Sequence, residues 1–498
     1  MLSFLHKKNK KAPETEPIKE KNVDKKPGIR LRLPQKRVIV IFGITFLFLT
    51  IAGFAYYRIS SYVVRTQQFT DNVESTNVCT NILNPDCWTE AFKPQLMETN
   101  GTTSVLMIGV DTRTNGTLMN TDSLMILSYN HATKKTMLTS IPRDLFSFNY
   151  NDRINTVYAY THNRDKNDPY KYLKEELTAM TGLPIQYVVL VRFDGVINLV
   201  DNIGGITVCP YINQEFVAAY PNPDATPSSP NQWLYYTFPK GCQTMNGQQA
   251  LVYARFRHLR RGPAALEIDY SRVRRQQEVV NAIKDKLLSQ NKTLPEKVEY
   301  WWQMLQAVNG NVTYTFTFED FLAGMSLIND ADKNPASVVL DPYFGGLNKY
   351  IYGTVIDGKD VAAFRGNTYT GIRNEVQAIW NNTDFYKESP KILVLNMTGS
   401  DLPKDNPVNI LKSTSKYYSS FNITKVATDD KVKDMMIFDF TGGKKPGSLK
   451  LIQDKLGIRE VSTQPDLYGL SQSSAKEDIL VVIPPAAKTS APEVSPTI

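Results

Sequence analysis

At 498 residues the chain is too long for one ordinary core, so two or three domains are expected. A composition of 42% hydrophobic and 21% charged residues is that of a globular protein. The formal charge of +8 is accounted for by residues 1–37, where twelve Lys/Arg face four Asp/Glu; the rest of the chain is near neutral, which gives no support to a general nucleic-acid surface.

In chain order, residues 1–37 are rich in Lys, Pro and Glu and are expected to form a disordered basic tail. Residues 38–57, VIVIFGITFLFLTIAGFAYY, carry no charge and are long enough to cross the hydrocarbon core as a helix, with Tyr56 and Tyr57 at the far interface. Arg30, Arg32, Lys36 and Arg37 precede this run and only Arg58 and Arg65 follow closely. That bias predicts a cytoplasmic N-terminus and a chain that lies outside the membrane after Tyr57. A cleaved signal peptide is disfavoured by the long basic leader and the lack of an A-x-A-like site. Residues 58–100 read as an extracytoplasmic stalk with a disulfide loop. Residues 101–380 alternate strand and helix signals, and 381–390 read as a linker. Residues 391–485 read as a small α/β module, with apolar runs at KILVLNMTGS and DILVVIP around a helical signal from Val408 to Tyr418. The segment 486–498 is a Pro/Ser/Thr/Ala-rich disordered tail.

Four cysteines agree with an oxidising compartment. Cys79 and Cys87 can close a small loop, and Cys209 and Cys242 flank a Pro-rich excursion. Of the three connectivities four cysteines permit, Cys79–Cys87 with Cys209–Cys242 is the natural one; four reduced thiols are the alternative. No C-x-x-C or His-rich spacing suggests zinc.

Three β-like runs, Val105–Val110, Ser123–Tyr129 and Thr136–Ile141, are joined by short connections and predict an antiparallel meander. In that topology the end of the first strand, the start of the second and the end of the third share one edge. Asp111, Arg113, Asp122 and Arg143 therefore cluster. Such a cluster is either a solvated ion-pair network or a site for a divalent metal and phosphate.

The stretch from Tyr253 to Gln277 holds seven arginines. MNGQQALVYA predicts a short helix with Asn246 as N-cap. Arg255 and Arg257 follow at i, i+2, which points both the same way if the chain is extended. A helix starting near Asp269 has an apolar stripe of Val273, Val279, Val280, Ile283 and Leu287. Arg272 and Gln276 share that buried face, Arg274 points to water, and Arg275 and Gln277 lie on the flanks. A cation at the buried start of a helix opposes the dipole and calls for an anion, either a phosphate or a carboxylate such as Asp111.

In order and spacing, GVDTR, NTDSLMILS, SIPRDL, RINTVYAY, VRFDGVINLVDNIGGITV, MNGQQALVYARFR and DYSRVRRQQ resemble the LytR-CpsA-Psr family over roughly residues 101–380. Residues 391–485 resemble the LytR-type C-terminal domain. The resemblance implies an α/β fold, an α/β/α sandwich with a central mixed sheet and a hydrophobic pocket for a polyprenyl tail; Val188–Val200 reads either as its lining or as ordinary core. It implies a membrane-anchored phosphotransferase that moves a glycopolymer (teichoic acid, capsule or similar) from a polyprenyl-pyrophosphate carrier to N-acetylmuramic acid of peptidoglycan. No nucleic acid is expected as a partner.

Residue by residue, Asp111 and Asp122 match the Mg²⁺-associated acids, one of them a candidate base. Arg143, Arg255, Arg257, Arg272 and Gln276 match residues that hold the pyrophosphate; Arg113 belongs to the first motif, and Arg153 stands where many members have Lys. Cys209 and Cys242 match a pair found in a subset of the family. Two departures stand out. Ser147 occupies a position where many members have Arg, and HLRRGPAALEI reads as an expanded loop whose Arg260 and Arg261 lack counterparts. The competing functions are a non-enzymatic envelope regulator or binding protein and a polyprenyl-pyrophosphate-glycan hydrolase.

Overall fold

The computed structural model describes residues 95–485 apart from 111–119, 223, 227–228, 268, 290–291, 309, 328–330, 333, 342–348, 416–419, 428–431 and 463–476. The expected membrane helix at 38–57, the stalk with Cys79 and Cys87, and the two tails lie outside the described residues. Among the described residues no helix is long and apolar enough to cross a membrane.

The meander forms as the alternation predicts. Strands Thr102–Val110, Thr121–Asn130 and Thr136–Ile141 pair antiparallel in that order. They sit at the centre of a six-stranded mixed sheet. Tyr187–Arg192 adds in parallel beside the first strand, with Val312–Tyr314 antiparallel beyond it. Ala336–Val339 closes the other edge in parallel with the third strand.

Side chains alternate across these strands, so each face has its own composition. On one face Leu106, Ile108, Val110, Leu124 and Ile126 are fully buried under the helices Ile154–Thr161, Lys171–Thr181 and Thr370–Asn381. On the other, the 20-residue helix Asp269–Leu288 packs against the third strand and its parallel neighbour. There Gln277 Nε2 donates to Ser140 Oγ at 2.7 Å. The rest of that second face is half open: Val105, Met107, Val189 and Val191 are partly exposed, and Leu127 is 36% exposed.

A smaller lobe grows from the strand Ile206–Val208, which pairs antiparallel with Gln243–Met245. The register Val208↔Gln243 brings the next residues together, and Cys209 and Cys242 form a disulfide there. It closes an excursion carrying strands Phe216–Pro221 and Trp233–Phe238. The segment read as an expanded loop is not a loop throughout. Residues His258–Arg261 form a third strand beside Phe216–Pro221, and a short 3-10 turn at Ala264–Leu266 follows.

Residues 391–483 build a second, five-stranded sheet with helices Pro407–Ser415 and Pro446–Leu456. The two apolar runs of the sequence are neighbours in it: Lys391–Asn396 pairs in parallel with Ile479–Ile483. Between the sheets, the stretch read as a linker is helical from Thr383 to Glu388. The Glu388 carboxylate accepts from Gly447 N at 3.0 Å and from Ser448 N at 2.6 Å, capping the free N–H groups at the start of the Pro446–Leu456 helix. Trp380, Phe385, Ile392 and Ile452 belong to one apolar cluster with the core of the first sheet.

Candidate functional site

The site lies at the sheet edge where the meander turns. Val110 pairs with Thr121, and Leu124 pairs with Ile141, so Asp122 and Arg143 meet there. Arg143 Nη1 donates to Asp122 Oδ1 at 3.1 Å. Arg255, the last residue of the helix Gly247–Arg255, donates from Nη2 to Asp122 Oδ2 at 3.2 Å. One carboxylate thus spaces two guanidiniums that arrive from distant parts of the chain.

Local chemistry fixes Arg255. Asn246 caps its helix through a full capping box with Gln249. Gly247 follows because a Cβ there would overlap the Ile197 carbonyl, which lets this helix pack tightly on the helix Phe193–Asn202. The Arg255 guanidinium then lies 3.5 Å from the Phe193 ring centroid and donates to Tyr220 Oη at 2.7 Å. Gln276 reaches the same edge, where its Oε1 accepts from Ser123 Oγ at 3.1 Å. Arg272, one helical turn earlier, is 6% exposed.

Asp144 extends the network sideways. Its carboxylate is 3.6 Å from Arg143 Nε and 3.4 Å from Arg153 Nη1. Arg153 Nε also donates to the Asp360 carbonyl at 2.9 Å. Among the described residues Arg143 Nε is buried with no hydrogen-bond acceptor and only the Asp144 carboxylate at 3.6 Å, so an anion at closer range would recover free energy there. In this network three guanidiniums, Arg143, Arg153 and Arg255, share two carboxylates, Asp122 and Asp144.

The sequence-predicted residues therefore divide. Asp122, Arg143, Arg255 and Gln276 are brought to one edge, with Arg153 beside them through Asp144. Arg257 is exposed and makes no hydrogen bond or ion pair with a described residue. Asp111 and Arg113 lie outside the described residues. Ser147, the position noted as a departure from the family pattern, is fully buried and donates to Glu176 Oε1 at 2.6 Å.

Two sequence expectations on the arginine helix need correction. Arg275 and Gln277 were expected on its flanks, yet both are buried. Arg275 is 0% exposed and donates to three carbonyls: Tyr253 at 2.7 Å, Leu266 at 2.8 Å and Phe256 at 2.7 Å. Burial lowers its pKa to about 10, which still leaves it charged at neutral pH. The physical reason is that the first half of this helix is covered on several sides, so a single stripe understates its buried face. Arg274 is exposed as expected, with its guanidinium 4.3 Å from the Tyr211 ring centroid. Sequence reasoning also missed Phe193, Tyr220 and Asp144, whose roles depend on tertiary proximity.

The model of the LytR_cpsA_psr family matches residues 59–361. Biofilm regulatory protein A of Streptococcus mutans is 30% identical over 223 residues, 42% of this chain and 48% of that protein. The polyisoprenyl-teichoic acid–peptidoglycan teichoic acid transferase TagU of Bacillus licheniformis is 29% identical over 221 residues, 44% of this chain and 61% of that protein. The chain thus spans about half the length of the curated relatives it matches. Among solved structures, TagV of B. subtilis is 20% identical, with 56% of this chain and 97% of that one covered and a TM-score of 0.41. With its family model matched over more than half of its length, the chain belongs to the LytR-CpsA-Psr family.

Proposed function

We propose that this chain is a membrane-anchored phosphotransferase that moves a glycopolymer from a polyprenyl-pyrophosphate carrier to N-acetylmuramic acid of peptidoglycan. The observation that carries the reading is Asp122 held between Arg143 and Arg255 at the end of a half-open apolar sheet face. A pyrophosphate suits the guanidiniums, and an isoprenoid tail suits the face of Val105, Met107, Leu127, Val189 and Val191. Of the stretch Val188–Val200, read as either lipid-pocket lining or core, Val189 and Val191 lie on this face, whereas Val188 and Leu190 are in the opposite core. The teichoic acid transferase named above among the relatives supports the same reaction class.

In this reading the acceptor hydroxyl oxygen attacks the phosphorus that carries the glycan. A new P–O bond forms, the bond to the second phosphate breaks, and polyprenyl phosphate leaves. Asp122 or Asp111 takes the hydroxyl proton. Arg143 and Arg255 hold the pyrophosphate and offset its charge, which is the main demand of phosphoryl transfer, and Arg153, Arg272, Arg257 and Arg113 are the further candidates for that role.

Mg²⁺ fits this donor set as an ion shared with the substrate. Asp122 retains lone pairs beyond its two arginine bonds. Among the described residues no three acids converge as a metal cluster, so phosphate oxygens would complete the shell around Asp122 and Asp111. When bound, the ion would neutralise pyrophosphate charge. The uncharged run 38–57 is the proposed anchor, with the N-terminus in the cytoplasm and residues 391–485 outside as a LytR-type C-terminal domain.

Full-length protein in detergent, given Mg²⁺, a polyprenyl-pyrophosphate glycan and peptidoglycan oligomers, is expected to yield linked polymer. Chelation should stop the reaction and added Mg²⁺ restore it. Free glycan phosphate would instead identify a hydrolase, and no turnover a binding or regulatory protein. Asp144→Asn is expected to lower kcat/KM about tenfold, near the weight of one charge-assisted hydrogen bond, because Arg143 and Arg153 lose the anion between them. An unchanged pH–rate profile and kcat/KM would exclude that positioning role.

A further inference from the structure

We propose that the outer face of the three-stranded sheet beside the clamp binds the sugar–phosphate chain of the glycopolymer, a subsite beyond the pyrophosphate. The inference rests on the transferase reading above and names where its donor extends.

The sheet is built from His258–Arg261, Phe216–Pro221 and Trp233–Phe238, in that order. Its inner face is closed by Phe216, Ala218 and Phe238, which pack into the lobe's core. The outer face has a small central residue, Ala219, paired on one side with Tyr235 and on the other with His258. Across that shallow floor the edge strands reach toward each other. The Arg260 guanidinium lies 4.6 Å from the Tyr235 ring centroid, and the rings of Trp233 and His258 meet edge to face at 5.6 Å. Tyr235 is 50% exposed.

The composition of the face selects the occupant. Aromatic rings offer flat apolar area to the C–H faces of pyranoses while keeping polar tips for their hydroxyls. Among the described residues, exposed Arg260 has no carboxylate within ion-pair distance, in contrast to Arg261, which is paired with Glu215. A phosphate-bearing sugar chain uses both features. An uncharged glycan offers the arginine hydroxyl acceptors but no counter-charge, and a phosphate chain without rings offers Tyr235 no pyranose face.

Position adds a second argument. The edge strand begins three residues after Arg255, and exposed Arg257 lies in the connection. The central strand contributes Tyr220, whose hydroxyl accepts from Arg255, so the sheet is braced against the clamp. The Cys209–Cys242 disulfide closes the base of the excursion that supplies two of the strands. A polymer leaving the clamp over this edge meets a surface already ordered.

The test is a calorimetric titration of the full-length protein in detergent with a lipid-free, phosphodiester-linked N-acetylhexosamine polymer of about ten repeats. Dextran and poly(glycerol phosphate) serve as comparison probes. Tyr235→Ala and Arg260→Ala are each expected to weaken polymer binding about tenfold, the weight of one good interfacial contact. The Arg260→Ala effect should fade in about 0.5 M salt, and Tyr235→Phe, which keeps the ring and loses only its polar tip, should bind more tightly than Tyr235→Ala. Unchanged unfolding midpoints check that the variants are folded. Wild-type polymer affinity in the double variant overturns the subsite. So does loss of peptidoglycan-fragment or vesicle binding in that variant with polymer binding intact. Because binding is read without turnover, absence of transfer by the natural protein would count against the transferase reading alone.

Discussion

Arg143→Ala is expected to reduce glycopolymer transfer by about 10²–10³-fold or more, the scale seen when one preorganised transition-state donor is removed. Asp122→Ala should be at least as damaging, for a different reason. Without Asp122, Arg143 and Arg255 lose the anion that both of them touch, and their like charges push them apart. Neither variant should unfold the protein, because the pair is partly solvated at the sheet edge and is worth about 1 kcal/mol or somewhat more. The measurement is linked product from a polyprenyl-pyrophosphate donor, alongside an unfolding midpoint. Transfer at near the natural rate by both variants would remove the clamp from the mechanism.

The second large effect belongs to Arg275. Alanine at this position should cost about 3–5 kcal/mol of stability, as expected when a buried charge and its partners are separated. Three carbonyls would be stranded at once: two at the end of the Gly247–Arg255 helix and one in the turn after Arg261. These carbonyls hold the segment that sets Arg255, so transfer should fall with stability. Arg275→Lys should rescue little, because one ammonium cannot replace the planar fork of a guanidinium across three acceptors. Denaturant unfolding decides the matter. A lysine variant as stable as the natural chain would refute the geometric argument.

The meander and its charged edge were legible because both rest on local rules. Alternation set the strands, short connections set their direction, and direction alone placed Asp122 beside Arg143. The cap at Asn246 was legible for the same reason. Arg275 was not, since its helical phase is intermediate and its carbonyl partners come from residues 253–266, whose path a sequence does not display. The strand at His258–Arg261 was hidden by the turn residues Gly262 and Pro263, and by pairing with a segment about forty residues earlier. Phe193 and Tyr220 read as ordinary core and strand aromatics until Arg255 is placed between them.

Glu388 carries a consequence for how the chain comes apart. A carboxylate from the helix Thr383–Glu388 completes the first turn of a helix that belongs to the second sheet. The apolar cluster runs across the same junction. Neither sheet therefore has its full set of partners while the other is unfolded, and stability lost at one is felt at the other. Residues 391–483 are in this sense a share of the first sheet's cooperativity rather than a separable appendage, and a truncation after the family match would expose the junction as well as remove a module.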